Sequence, residues 1–409
     1  MRGKLSRREL GLAMAATGTF AMTAGRVGQA SAQTEPLKIG GLLPRSGFLA
    51  LIGQACQRGR DLSLPILKDM GYSVELMNAD FESKPDVART QAEKLIRDGA
   101  HILLGAFESG ATLAIAQVAE QHGIPFVIDI GSEPSITEQG FKFIFRNFPT
   151  SVLLANNGLA RFGDIFQAAG TAPKTAVLMH VNDTFGQSML KAIDSYADAG
   201  KLPFKILDKI SYDPQAKDLS IEVAKAKAAG ADLHMVVTRL NDAILMVREM
   251  VKQRYEPMGI ISPGSPGMYD LQFLKVLGKY GDYCITNVPW MDPKQELAQR
   301  LRTDFYKQYP QESFDINAGF CFEGVLICAD AHKRAGSTKP EALAAALRET
   351  KLEKRVMIGG AIHFDAKGQN PDQISAAVQN LGGKPVPVLP AANAEGKLAF
   401  PMPGWGQRG

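Results

Sequence analysis

Ser109 sits in a polar turn, Glu108-Ser109-Gly110, between a short apolar run at 101–104 and a helical pattern carried by Leu113, Ala116, Gln117 and Ala119. A serine at that point has two uses. It caps the helix by accepting a bond from the first amides, or, where the turn opens on a cleft, its hydroxyl and those amides hold an anion. Its place at the carboxyl end of a strand gives weight to the second use, because ligands of open α/β sheets gather there. Arg239 stands in a comparable position, directly after Val236-Val237-Thr238. A guanidinium there can hold an acidic group, a phenol or a keto oxygen, or be tied up by Asp242 instead. This is binding chemistry. The sequence has no G-x-G-x-x-G after its first strand, no P-loop and no G-x-S-x-G, so an enzyme is not expected. The six histidines are scattered, and neither a C-x-x-C nor a metal-ligand cluster occurs, so no cofactor or metal is expected.

The elements that must position these residues follow from periodicity. Residues 103–127 read as strand, turn, helix and the start of a further strand, one βαβ unit whose helix stops at Gly123. Strands at 38–43 and 73–79 precede it, with helices reaching to about Met70 and over 87–97, and with Pro85 suited to a first helical turn. Strict alternation predicts a parallel sheet with helices on both faces. The alternation pauses near 145–149 and restarts with strands at 175–180, 204–210, 233–237 and 257–261, which predicts a second sheet of the same kind. A strand at 282–288 follows, then helical patterns over 294–309, 314–334 and 340–348, a late strand at 358–364 and strand-like alternation at 374–388. Beyond Pro390 the chain is Gly- and Pro-rich, and a loose tail is expected over 391–409.

Residues 1–32 read as a cleaved signal: Arg7-Arg8, a mildly apolar run over 11–24, then Ala30-Ser31-Ala32. The arginine pair resembles a twin-arginine signal; an ordinary secretory signal is the alternative. The net charge of +4 resides there, in five basic residues against Glu9, leaving 41 basic and 41 acidic side chains in the remainder. A neutral exported chain argues against nucleic-acid or membrane-surface partners, and a soluble periplasmic protein is expected. Cys56, Cys284, Cys321 and Cys328 can pair in an oxidising compartment, but sequence does not say how.

Taken in order, Ile39-Gly40 with Pro44-x-Ser46-Gly47, Asp80 with Pro85, Gly105 with Ser109-x-x-Thr112, Gly123-Ile124-Pro125, Asp183 with Gly186, and Phe364-Asp365-x-x-Gly368 form a pattern. It resembles the type I periplasmic binding proteins, in particular the leucine/isoleucine/valine-binding branch of the ABC importers, over about residues 36–390. The resemblance implies an α/β fold of two doubly wound parallel-sheet lobes joined by a hinge of three crossovers, near 147–150, 287–290 and 365–368. The first lobe would take 36–148 and 289–365, the second 149–288 and 366–390. A small molecule would be captured between them, and the closed form would dock on permease and ATPase subunits of an importer, meeting the inner membrane through the permease alone.

The same resemblance implies that Ser109 and Ser132, with a backbone amide near Ile130, hold a ligand carboxylate, and that Phe185 closes over the ligand. One departure matters. Amino-acid binders of this kind place an acidic residue after the strand at 257–261 to pair with the ligand ammonium; here that turn, Ser262-Pro263-Gly264-Ser265-Pro266-Gly267, with Gly264 as a cleft residue, has none. A buried ammonium without a partner costs several kcal/mol. With Arg239, this predicts an organic carboxylate lacking an ammonium group: an aromatic, keto or dicarboxylic acid. Phe48, Phe107, Phe185, Tyr269 and Trp290 are candidates for an apolar wall. Asp242 or Asp270 could replace the missing acid, which keeps a branched-chain or other amino acid open as ligand, and a periplasmic ligand sensor shares the fold.

Overall fold

The computed structural model describes residues 35–408; the expected signal segment lies outside them. The first half alternates as β1 (Leu37–Leu43), α1 (Ala50–Asp69), β2 (Val74–Asp80), α2 (Pro85–Arg97), β3 (Ile102–Gly105), α3 (Ser109–His122), β4 (Phe126–Ile128) and β5 (Ile144–Arg146). The second run comprises α4 (Ser151–Ala169), β6 (Thr175–Val181), α5 (Thr184–Asp198), β7 (Lys205–Tyr212), α6 (Ser220–Ala228), β8 (Leu233–Val237), α7 (Leu240–Lys252), β9 (Gly259–Ser262), α8 (Leu271–Leu277) and β10 (Ile285–Val288). Then come α9 (Glu296–Gln308), α10 (Ile316–Ala335), α11 (Pro340–Arg348), β11 (Ala376–Leu381) and β12 (Lys384–Leu389).

The first sheet is all parallel, in the order β2-β1-β3-β4-β5. The second runs β12-β11-β10-β9-β8-β6-β7, parallel from β7 to β10, with β11 and β12 added antiparallel as a hairpin turned by Gly382-Gly383. Strands β3, β4, β8 and β9 are buried throughout and consist almost entirely of apolar residues and glycine, as strands covered on both faces require. β7 is the polar edge, Lys205, Asp208 and Lys209 facing water, which blunts pairing with another chain. In each sheet the strand order reverses beside the first strand, and the crevice at the carboxyl ends is where ligands of such sheets bind.

The chain passes between the sheets three times: after β5, after β10, and before β11. Helix α10 returns to the first lobe and lies against α1, closely enough that a Cβ on Gly59 would stand 2.1 Å from the Ala318 carbonyl oxygen. At the crossovers a buried polar belt links the passes. Asn147 donates to Glu323 at 2.7 Å and accepts from Asn370 at 2.9 Å. Arg146 donates to Gln369 at 2.6 Å. Glu323 also receives Arg355 at 3.3 Å and the amides of Val356 and Met357 at 2.8 and 2.9 Å.

Two segments differ from expectation. Residues 358–364 form no strand; only isolated bridges, Leu352 with Ile362 and Gly359 with Gln373, occur there. Gly359 has a φ of 145°, a turn of backbone that breaks the strand and wraps the segment around Arg355. The tail is not loose. Phe400, Met402, Trp405 and Arg408 are buried on the second lobe, where the Trp405 indole donates to the Tyr255 carbonyl at 2.9 Å and the Arg408 guanidinium lies 3.9 Å from the Trp405 ring centre. A few large anchors outweigh the Gly and Pro around them. Among the described residues no helix is long and apolar enough to cross a membrane, and all four cysteines are buried and unpaired.

Candidate functional site

The loops at the carboxyl ends of β3 and β4 face those after β6, β8 and β9 across a cleft. Phe107, Ser109, Ile130, Gly131 and Ser132 line it from the first lobe, and Leu154, Phe185, Arg239, Gly264, Pro266 and Tyr269 from the second. The crossovers add Phe148 and Val288, and α10 adds Ile316 and Asn317 at its first turn. Eight of the ten residues singled out in the sequence therefore meet in one place. Phe48 does not. It lines a neighbouring crevice with Leu240 and Asn241, where its carbonyl oxygen accepts from the Asn241 side chain at 3.1 Å and ties the two lobes at the rim. Trp290 also stands back from the cleft, edge-on to Tyr269 with ring centres 5.7 Å apart.

The helix beginning at Ser109 is capped by its neighbour. Glu108 accepts from the amides of Gly110 and Ala111 at 3.0 and 2.6 Å, so those amides are spoken for and the Ser109 hydroxyl is not the cap. Phe107, at a φ of 79°, holds a backbone conformation unusual for a residue with a side chain, of the kind found at ligand sites. The Ile130 amide is likewise used, donating to Asp129 at 2.8 Å. What remains for an anion are the Ser109 and Ser132 hydroxyls and the amides of Gly131 and Ser132, which donate to no group among the described residues. Below them, Arg60 and Asp129 form a fully buried ion pair at 2.6 Å, with Arg60 also reaching the carbonyl oxygens of Leu42 and Leu104. That pair fixes the ends of β1, β3 and β4 against each other.

On the opposite wall, Asp183 caps α5 through Gly186 at 2.9 Å and pairs with the Arg239 guanidinium through its other oxygen. The guanidinium lies 5.2 Å from the Phe185 ring centre. Burial works against its charge, but Asp183 and then Glu108 outweigh that and hold its pKa above the ordinary value. Both carboxylates sit on helix N-termini, whose partial positive charge offsets theirs. The Arg239 Nε has no partner. Gly264 has a φ of 154°, and a Cβ there would stand 2.5 Å from Leu154. Only glycine lets this turn close the cleft.

The two acids that could have served an ammonium are occupied elsewhere. Asp242 receives the Arg239 amide at 2.9 Å and the Tyr212 hydroxyl at 2.7 Å. Asp270 caps α8 through Gln272 at 2.7 Å. Asp315 caps α10, and burial beside Asp270 pushes its pKa up to about 7. None of the residues lining the cleft is a carboxylate, whereas four of them carry a buried polar atom with no partner: Ser132 Oγ, Arg239 Nε, Tyr269 Oη and Asn317 Oδ1. Such atoms cost roughly 1–3 kcal/mol each when left unmet. Grouped in one cleft, they suit a ligand. Gly131, Phe148, Leu154, Pro266, Val288, Ile316 and Asn317 were not foreseen; for Asn317, the available signal was Asp315 two residues earlier, an N-cap type ahead of a helical run.

The sequence model of the family described as periplasmic binding protein matches residues 36–384. The Leu/Ile/Val-binding protein homolog 8 of Brucella abortus (strain 2308) is 24% identical over 381 residues, covering 89% of this chain and 93% of its own. Among solved structures, the branched-chain amino acid transporter substrate-binding protein LivJ of Streptococcus pneumoniae, in complex with isoleucine, superposes with a TM-score of 0.75 at 17% identity, over 90% of this chain and 100% of its own. A solute-binding protein of an ABC transporter from R. palustris, in complex with benzoate, gives 0.73 at 22% identity, over 90% of this chain and 97% of its own.

Proposed function

Because this chain belongs to the periplasmic binding protein family, we propose that it is the capture component of an ABC importer and closes around a small organic carboxylate that carries no ammonium group. One observation carries this reading: the cleft presents a guanidinium, hydroxyls and amides, and no carboxylate among its lining residues. An amino acid would bury its ammonium against Phe107, Phe185, Tyr269 or Arg239, none of which can neutralise it. The ligand carboxylate sits against Ser109, Ser132 and the Gly131–Ser132 amides. Arg239 Nε gives a charge-assisted bond to a ligand oxygen, and the aromatic side chains cover an apolar body. Ligand contacts from both lobes stabilise the closed form about the three crossovers, and that form is the one offered to permease and ATPase subunits. The arginine pair and the Ala30-Ser31-Ala32 site support export, by the twin-arginine route, to the periplasm. Benzoate in a similar structure supports the acid class. The named relatives favour a second reading, a branched-chain amino acid as ligand.

Losing one hydrogen bond to a charged ligand group costs roughly 1.5–3 kcal/mol. Ser109→Ala is therefore expected to weaken binding of a benzoate or 2-oxo acid by about tenfold or more in calorimetry. Equal affinities for the two proteins would remove Ser109 from the site.

A further inference from the structure

Two of the unpartnered polar atoms belong neither to the serine pair nor to Arg239: one is on Tyr269, in the turn before α8, and the other on Asn317, in the first turn of α10. Tyr269 is 1% exposed and Asn317 2% exposed. Trp290 holds the Tyr269 ring in place edge-on. Burial, with Asp315 and Asp270 nearby, lifts the phenol well above its ordinary pKa, so it stays neutral. The Asn317 side chain lies close enough to the phenol to oppose that rise, while Tyr269 Oη and Asn317 Oδ1 each lack a partner at hydrogen-bond geometry.

The orientation of the Asn317 amide is set by its neighbour. Its backbone amide donates to one oxygen of Asp315 at 2.9 Å and its Nδ2 to the other at 3.2 Å. With Asp315 ionised, the group facing it is the NH2, which turns Oδ1 away from Asp315 and leaves it without a donor. The cleft these two atoms line also carries the apolar side chains of Pro266, Val288 and Ile316. The result is a neutral donor and a neutral acceptor, both buried, lining the same cleft. A charged group gains nothing there. A hydroxyl satisfies both, donating to Asn317 Oδ1 and accepting from the Tyr269 hydroxyl.

Resting on the proposed organic-acid function, we propose that Tyr269 and Asn317 form a second subsite that selects acids bearing a hydroxyl on the ring or chain remote from the carboxylate, with hydroxylated aromatic acids as the ligand class. An analogue lacking the hydroxyl leaves two buried groups unpaired, and sites built this way discriminate strongly against it.

The test is calorimetry of the purified chain with benzoate and its 2-, 3- and 4-hydroxy isomers, repeated with Tyr269→Phe and Asn317→Ala. The quantity read is the ratio of hydroxybenzoate to benzoate affinity. At least one isomer is expected to exceed benzoate by tenfold or more, and each variant should bring that ratio to within about threefold of one. Tyr269→Phe removes a single oxygen, so the test stands even if Asn317→Ala does not fold. No isomer binding tighter than benzoate, or a preference that survives either folded variant, overturns the subsite while leaving the organic-acid reading in place. Binding of an amino acid with none by any of the four acids overturns that reading, and the subsite with it.

Discussion

Replacing Glu323 by alanine is expected to lower the free energy of unfolding by about 3–5 kcal/mol, a large share of the roughly 5–15 kcal/mol that holds a folded protein together. Glu323 is fully buried on α10 and is the hub of the crossover belt. It accepts from Asn147, from Arg355 and from the amides of Val356 and Met357. Removing it leaves the buried Arg355 guanidinium with only the Gly360 carbonyl and the Gln373 side chain as partners, and strands two backbone donors. The damage comes from the unpaired charge more than from the lost bonds. The double variant Glu323→Leu, Arg355→Met is accordingly expected to be more stable than Glu323→Ala alone. Urea unfolding of the three proteins checks this; a loss under 1 kcal/mol in Glu323→Ala would show that the belt does not brace the crossovers.

The second large effect is on binding. Arg239→Met is expected to weaken an aromatic or keto acid by about a hundredfold, on the order of 2.7 kcal/mol. Methionine keeps an apolar contact with Phe185 but removes the cleft's guanidinium and leaves Asp183, formerly paired, to repel an anion. Arg239→Lys should fall between, since an ammonium retains the charge but cannot both pair with Asp183 and extend a planar Nε into the cleft. Unchanged affinity in Arg239→Met would mean that the ligand's oxygens are read elsewhere.

How much of this was written in the sequence depends on whether a signal is local. The alternation of strands and helices is local, and so are Ser109, Ser132, Phe185 and Arg239, each within a few residues of a strand's end. Side-chain direction is not. Phe48 has the right type and place, yet it sits at the lobe rim in a different crevice. Glu108 and Ser109 compete for the same cap, and the longer side chain, reaching two amides, takes it. Asn317 arrives from α10, far along the chain, because α10 packs back on α1. The tail's composition argued for disorder, but Trp405 and Arg408 each find buried partners on the second lobe. The run at 358–364 looked like a strand, but Gly359 turns the backbone there.

The central claim is that the cleft takes an acid without an ammonium group. The most direct measurement is a matched calorimetric titration of leucine, valine and glutamate against their deaminated 2-oxo acids, with benzoate and its hydroxy isomers alongside. Binding in the micromolar range or tighter by at least one acid, with none by the free amino acids, is the predicted result. Micromolar binding of any free amino acid, with none by the acids, would contradict it.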